Sequence, residues 1–274
     1  MLGLGIGSFV EASDFISKGV AGYSNAQSLD LDGTGDYIDP GFTTSTLQTL
    51  LRGDQTYSTW IRAPYNASFT VFGYGDTGNG LAPGLLVQYF YLNASIDYFS
   101  VTGKASNSSF GQLLAMNPTA TNVSNAWIHV AYTVIKGADN STNGTHSIYI
   151  NGSLAHSSNT KTKDFHEASV VSTGRNLAIG AYNNNGTVSS NITGQMDEVA
   201  IWNVALDADA VSEIYNSGVP NDLTVAGTNY TQTMVNGLQR YYRFEGGDLT
   251  KDYSTNNTSA TLEGNPSASS EVPS

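Results

Sequence analysis

Two segments constrain this chain more than anything else in it: GQMDEVAIWNVALDADAVSEIYNSG, Gly194 to Gly218, and SLDLDGTGDYIDPG, Ser28 to Gly41. The first reads as a strand that runs directly into a short helix. Val211, Ile214 and Tyr215 share one helical face, Asp207 or Asp209 supplies an amino-terminal cap, Gly218 a stop, and Pro220 stands just beyond. The second reads as a strand, a glycine turn and another strand. A chain holding both must pack strands in layers and find room on them for one helix.

The remainder agrees. Short runs rich in Val, Ile, Tyr, Phe and Trp recur between clusters of Gly, Asn, Asp and Ser, the pattern of an all-β sandwich. YSTWIRA (57–63) places Ser58, Trp60 and Arg62 on one face. FTVFGYG (69–75), GLLVQYFYL (84–92) and SIDYFSV (95–101) follow. WIHVAYTVI (127–135) sets Ile128, Val130, Tyr132 and Val134 on one side. HSIYINGSLAH (146–156) is a hairpin, because Asn151-Gly152 accepts the positive φ values of a type I′ turn. NLAIGAY (176–182) is a further strand. Near the carboxyl end, Tyr241, Arg243 and Glu245 alternate with Tyr242 and Phe244, so 238–264 is expected to complete the sheets. Residues 221–235 read as a connector and PSASSEVPS as a frayed end.

The 274 residues are enough to bury a core without covalent staples, and there is no cysteine to form any. The net charge is −12 with only 12% charged residues, which disfavours nucleic acid and an anionic membrane surface as partners. No apolar run approaches the ~20 residues that span a bilayer. The opening MLGLGIGSFVEASDFISKG has an apolar stretch, Leu2 to Val10, but lacks a basic start and soon meets Glu11 and Asp14. It is read as an arm rather than a cleaved signal.

Taken together, SLDLDGTGDYI, YSTWI, WIHVAYT, IYINGSL, LAIG and GQMDEVAIWNVAL resemble, in order, the conserved blocks of laminin-G-like domains of the concanavalin A-like lectin/glucanase class. The resemblance implies an all-β, concanavalin A-like jelly-roll β-sandwich with one short helix. The organisation expected from it is an arm over residues 1–24, the jelly roll over 25–220, and a connector plus completing strands over 221–274. YYRFEGGDLTKDYSTNN follows the helix here, whereas a similar block comes before the opening strands in many such domains. That order resembles structural proteins of marine bacteriophages.

Asp30, Asp32 and Asp36 resemble a calcium loop, but they equally suit an acidic turn whose carboxylates bond local amides. Glu245, Asp248 and Asp252 form a second candidate set for structural calcium. Asp197 and Glu198 are neighbours, so on a regular strand they face opposite ways and cannot act as a pair. No E-x-D-x-x-E strand, G-x-S-x-G elbow, P-loop or H-E-x-x-H helix is present. His129, His146, His156 and His166 read as strand surface, with His146 and His156 placed as possible neighbours across the hairpin. Tyr89, Tyr91 and Tyr98 are the aromatic residues expected to be exposed as a sugar platform, set against a packing role.

The leading expectation is therefore a non-enzymatic virion structural protein, a capsid decoration or a tail or fibre component. It would be a homo-oligomer, docked on other virion proteins through Leu2, Leu4, Ile6, Phe9 and Val10. The alternative is a carbohydrate-binding adhesin that recognises a host-surface glycan, on a virion or exposed or secreted by a bacterium. Neither reading involves nucleic acid, membrane or a cofactor beyond calcium.

Overall fold

The computed structural model describes residues 23–64, 67–75, 84–93, 96–104, 111–115, 125–137, 144–159 and 176–274. The expected docking residues Leu2, Leu4, Ile6, Phe9 and Val10 lie outside them.

Two antiparallel sheets face each other. The first contains β1 (Ser28–Asp32), β3 (Gln55–Arg62), β8 (Ile128–Ile135), β9 (Thr145–Ile150), β10 (Ser153–Ser158), β14 (Thr193–Trp202), β15 (Leu238–Tyr242) and β17 (Ser267–Ser269). Its order is β10-β9-β8-β3-β14-β1-β17, with β15 beside the far half of β14. The second contains β2 (Tyr37–Asp39), β4 (Phe69–Gly75), β5 (Gly84–Asn93), β6 (Ile96–Lys104), β7 (Gly111–Ala115), β11 (Ala178–Ile179) and β16 (Thr261–Glu263). Its order is β16-β2-β11-β4-β5-β6-β7, and the hairpin β12 (Tyr182–Asn184)–β13 (Thr187–Ser189) joins it through a parallel pairing with the end of β4.

Period-two alternation builds the interior. Leu29 and Leu31 of β1, Tyr57 and Ile61 of β3, Val130, Tyr132 and Val134 of β8, and Phe69, Phe72 and Tyr74 of β4 all enter one core between the sheets. A second, smaller core lies on the outer face of the first sheet. There Val211 and Ile214 of α2 (Ala208–Tyr215) pack with Trp202, Leu206, Leu223, Tyr230 and Tyr241. The Asp207 side chain accepts from the Ala210 amide at 2.9 Å and starts α2. Asn216, at φ 47°, ends it, so the stop comes earlier than the expected Gly218.

Two expectations are corrected. The helix of the 194–218 segment is joined, among the described residues, by α1 (Thr44–Leu51) and α3 (Gln232–Asn236). α1 is short and rich in Thr and Ser; the Thr43 cap and the buried Leu47, Leu50 and Leu51 make it helical through tertiary packing rather than propensity. Residues 221–235 are well packed: Leu223, Tyr230 and Val235 are buried, and the Tyr230 hydroxyl accepts from Trp202 Nε1 at 3.0 Å and donates to the Leu223 carbonyl at 2.9 Å. The carboxyl end is not frayed. β17 pairs with β1, β16 pairs with β2, and Asn25 Nδ2 donates to the Pro273 carbonyl at 3.4 Å. The turn between β1 and β2 and the turn between β16 and β17 both pass from one sheet to the other. Asp36 ties them: Oδ2 accepts from the Asp32 amide at 2.9 Å and Oδ1 from the Asn265 amide at 2.7 Å.

Gly194 opens β14 at φ 137°, where an added Cβ would sit 2.1 Å from the Arg62 carbonyl oxygen. Chemical denaturation of Gly194→Ala is expected to show a loss of about 2 kcal/mol or more, because both backbone strain and a backbone clash resist the methyl. Unchanged stability would contradict this register.

Candidate functional site

The exposed face of the second sheet follows from strand parity. Phe90 stands opposite Tyr98 in the β5–β6 register, and their rings stack with centroids 5.4 Å apart and planes 24° from parallel. Both are half-buried. Gln88 lies on the same face opposite Ser100, and its Nε2 donates to Thr70 Oγ1 at 3.0 Å. Thr70 and Ser100 are buried at 0% and 2% exposure, so a stacked aromatic pair beside the half-buried Gln88 amide is what a pyranose C–H face can meet here.

This arrangement corrects the expected platform of Tyr89, Tyr91 and Tyr98. Tyr89 is fully buried between Phe69 and Phe99, with ring centroids at 5.2 and 5.3 Å, and Tyr91 packs against the same core. The physical reason is the two-residue period, which turns Tyr89 and Tyr91 inward and Phe90 outward. Only Tyr98 stays on the outer face. Phe90 was missed because three tyrosines outweighed the parity of the strand; pairing the two arms of the hairpin residue by residue would have found it.

The expected calcium set does not converge. Glu245 Oε1 accepts from the Gln27 amide at 2.8 Å; Asp248 Oδ1 accepts from the amide and hydroxyl of Thr250 at 3.0 and 2.7 Å. Asp252 takes the amides of Tyr241, Ser254 and Thr258 at 2.9, 2.8 and 3.0 Å. Each carboxylate is committed to its own stretch of backbone, and among the described residues no group of three His, Cys, Asp or Glu is placed to hold a metal ion. Asp32 likewise accepts from the Thr34 amide at 2.6 Å, the local-turn reading of that loop.

Asp197 and Glu198 depart from expectation most. The β14–β3 register slips between Asp197 and Ala200, so Glu198 and Val199 together oppose Thr59. Glu198 adopts φ 49°, the left-handed region. Asp197 stands opposite Trp60 on the outer face, and Glu198 lies in the same layer with Ser58, Trp60 and His129. Alternation therefore fails at this bulge and the two carboxyls share a face. Both are buried, at 0% and 3% exposure. The Tyr241 hydroxyl donates to Glu198 Oε2, and Arg243 Nε lies 3.7 Å from Glu198 Oε1. The Glu198 amide donates to Asp197 Oδ1 at 2.8 Å. Burial pushes the Glu198 carboxyl up to about 8 against the lowering influence of Tyr241 and Arg243. Burial, then the charge of Glu198, raises Asp197 as well. The hollow beside Glu198 holds no more than a water molecule, at about 10 Å³, and is closed by Ile214, Pro220 and Leu223. A sugar cannot reach these carboxyls, so they serve as internal anchors.

His129 and His146 are also buried rather than on strand surface. His129 Nε2 lies 2.7 Å from Ser58 Oγ, and burial lowers its pKa to about 3, so the ring is neutral. His146 Nδ1 lies 2.7 Å from the Tyr132 hydroxyl, whereas His156 is exposed and pairs with Ile148, so the two are not cross-strand neighbours.

Residues 32–212, about two thirds of the chain, match the Laminin_G_3 family, described as the concanavalin A-like lectin/glucanases superfamily. Among solved structures, the chain is similar to a Bacteroides ovatus protein described as a "putative carbohydrate binding protein", at 21% identity and TM-score 0.56, covering 92% of this chain. The match spans 62% of that protein's length. It is also similar to the CBM40 of a Ruminococcus gnavus IT-sialidase bound to α2,3-sialyllactose, at 15% identity and TM-score 0.50, covering 71% of this chain and 100% of that one. A heptameric SAP-like pentraxin from Limulus polyphemus matches at 12% identity and TM-score 0.50, over 87% and 95% of the two chains. At these identities the likeness establishes the fold. No curated protein matches significantly.

The raised Glu198 carboxyl sets a pH dependence. Between its ordinary value of 4.5 and about 8, the unfolded chain releases this proton while the folded chain keeps it, so stability falls as pH rises through that window. Urea denaturation from pH 4.5 to 8.5 is expected to show that slope in the wild type and a shallower one in Glu198→Gln, with the residue of the slope coming from Asp197. Equal slopes would contradict the assignment.

Proposed function

The chain belongs to the concanavalin A-like lectin/glucanase superfamily, and from that premise we propose that it is a non-catalytic glycan-binding protein. The observation that carries this is the Phe90–Tyr98 pair, two half-buried stacked rings flanked by Gln88 and Ser100 on the outer face of the second sheet. Such rings offer apolar area at little entropic cost, and the neighbouring Gln88 amide gives orientation. The structural neighbours support the reading in kind, because the CBM40 was solved with sialyllactose and the Bacteroides protein is described by carbohydrate binding. Its non-catalytic character is supported by the sealed state of Asp197 and Glu198.

A virion setting, as capsid decoration or tail component, rests on the order of sequence blocks alone. The comparisons lend it nothing, and glycan binding replaces it as the leading reading. The two are compatible, since an attachment protein on any surface uses the same face.

A glycan array, followed by calorimetry on the best ligand, tests the proposal. Phe90→Ala and Tyr98→Ala are each expected to weaken binding about tenfold, the cost of truncating a central aromatic contact. Circular dichroism should be unchanged, because neither ring enters the core between the sheets. An array without ligands, or affinity indifferent to both substitutions, would count against it.

A further inference from the structure

A separate cleft of about 340 Å³ opens on the opposite side of the molecule, above the first sheet. Its walls are the last turn of α2, the 220–230 segment and Tyr23. The walls are stiffly built. The Glu213 carboxylate accepts from the amides of Thr228, Asn229 and Tyr230, the first and last at 2.7 and 2.9 Å. Asp222 Oδ1 accepts from the Thr224 amide and hydroxyl at 2.9 and 2.7 Å, and the Gly227 amide donates to the Tyr230 carbonyl at 2.8 Å.

The wall these bonds build carries two carboxylates and one acceptor left without a partner. Asn216 Nδ2 is spent on the Val219 carbonyl at 3.0 Å and Asn221 Nδ2 on the Glu213 carbonyl at 3.4 Å. Asn221 Oδ1 is buried with no hydrogen-bond partner, a costly state that a ligand donor would relieve. Glu213 and Asp222 add negative charge. Slight burial of Glu213 works to raise its carboxyl, but the three amides outweigh it and hold the group below its ordinary value, so it stays anionic. Among the described residues lining the cleft none is Lys, Arg or His. The neighbouring Arg243 stacks 4.3 Å from the Tyr23 ring, donates to the Ser24 carbonyl at 2.6 Å and lies 3.7 Å from Glu198. Pro220, Ala226 and Val225, the last 41% exposed, supply the apolar part.

We propose that this cleft is a second binding site, for a sugar that carries a protonated amine. The amine meets the anionic wall and the unpartnered Asn221 Oδ1, and the ring lies along Val225; a carboxylated sugar is excluded by the same charge. The proposal takes from the glycan-binding reading only the kind of ligand and uses none of the residues of the Phe90–Tyr98 face.

The test is an NMR titration of the full chain with a glucosamine trimer, with the N-acetylglucosamine trimer as comparison. Glucosamine is expected to shift amides within 213–230, to weaken as salt rises, and to lose at least tenfold in affinity in Val225→Lys, which sets an ammonium at an exposed rim position without touching a core. Asp222→Asn, which keeps the acceptor for Thr224, should weaken binding several-fold. Equal binding of the acetylated trimer, shifts confined to other regions, no shifts at all, or full affinity in Val225→Lys would each overturn the proposal. Because Phe90→Ala and Tyr98→Ala read the other sheet and Val225→Lys reads this cleft, failure here leaves that result standing, and the reverse holds too.

Discussion

One inserted residue in β14 organises much of this molecule. The bulge at Glu198 turns two adjacent carboxyls onto the outer face of the first sheet and buries them there. Burying acids is expensive, and the cost is met by a protonated Glu198, the Tyr241 hydroxyl, and the Arg243 guanidinium. Those same partners reach outward. Arg243 holds the Ser24 carbonyl, and the Tyr241 hydroxyl that bonds Glu198 also lies 3.2 Å from the Asn221 carbonyl, with one proton between the two contacts. Strand β14, strand β15, the incoming amino-terminal segment and the 220–230 segment are thereby tied at a single polar knot. Removing one member would leave another buried and unpaired, which is the arrangement in which a buried polar cluster fixes geometry most firmly.

The two outer faces consequently differ in kind. That of the first sheet is closed over its middle by α2 and the segment behind it, with the small core of Trp202, Tyr230 and Tyr241 between them. That of the second sheet keeps the Phe90–Tyr98 pair within reach of solvent. Asp197 and Glu198 thus lie under the closed face, while the Phe90–Tyr98 pair lies on the open one. The cleft by α2 adds a third environment, walled by Glu213 and Asp222 and by no Lys, Arg or His among the described residues.

Much of the fold was legible in the sequence because alternation and turn chemistry are local signals. The Asn151-Gly152 hairpin, the capped helix after Asp207 and the inward set Ile128, Val130, Tyr132 and Val134 needed no tertiary information. What was not legible depended on contacts between distant segments. The pairing of Ser267–Ser269 with β1 carries no apolar pattern, and it exists because Asp36 and the sheet edge recruit it. α1 has little intrinsic helicity and forms through burial of three leucines. The site was legible only in part: Tyr98 was named, Phe90 was not, and Tyr89 and Tyr91 were placed on the wrong side of the sheet. Glu245, Asp248 and Asp252 resemble a metal set by composition, yet each is consumed by nearby amides. The Asp197–Glu198 step was read with the period of a regular strand, and a bulge is the event that breaks that period.

The central claim is that Glu198 is a sealed, proton-bearing anchor rather than a working carboxylate. Carbon-13 NMR of the glutamate side-chain carboxyls, followed through a pH titration of the native protein, addresses it directly. The account predicts one resonance, removed by Glu198→Gln, that holds its proton past neutrality and titrates near 8, well apart from the exposed glutamates. A Glu198 signal that ionises alongside them, near the ordinary 4.5, would mean that water reaches the pair and would contradict the account.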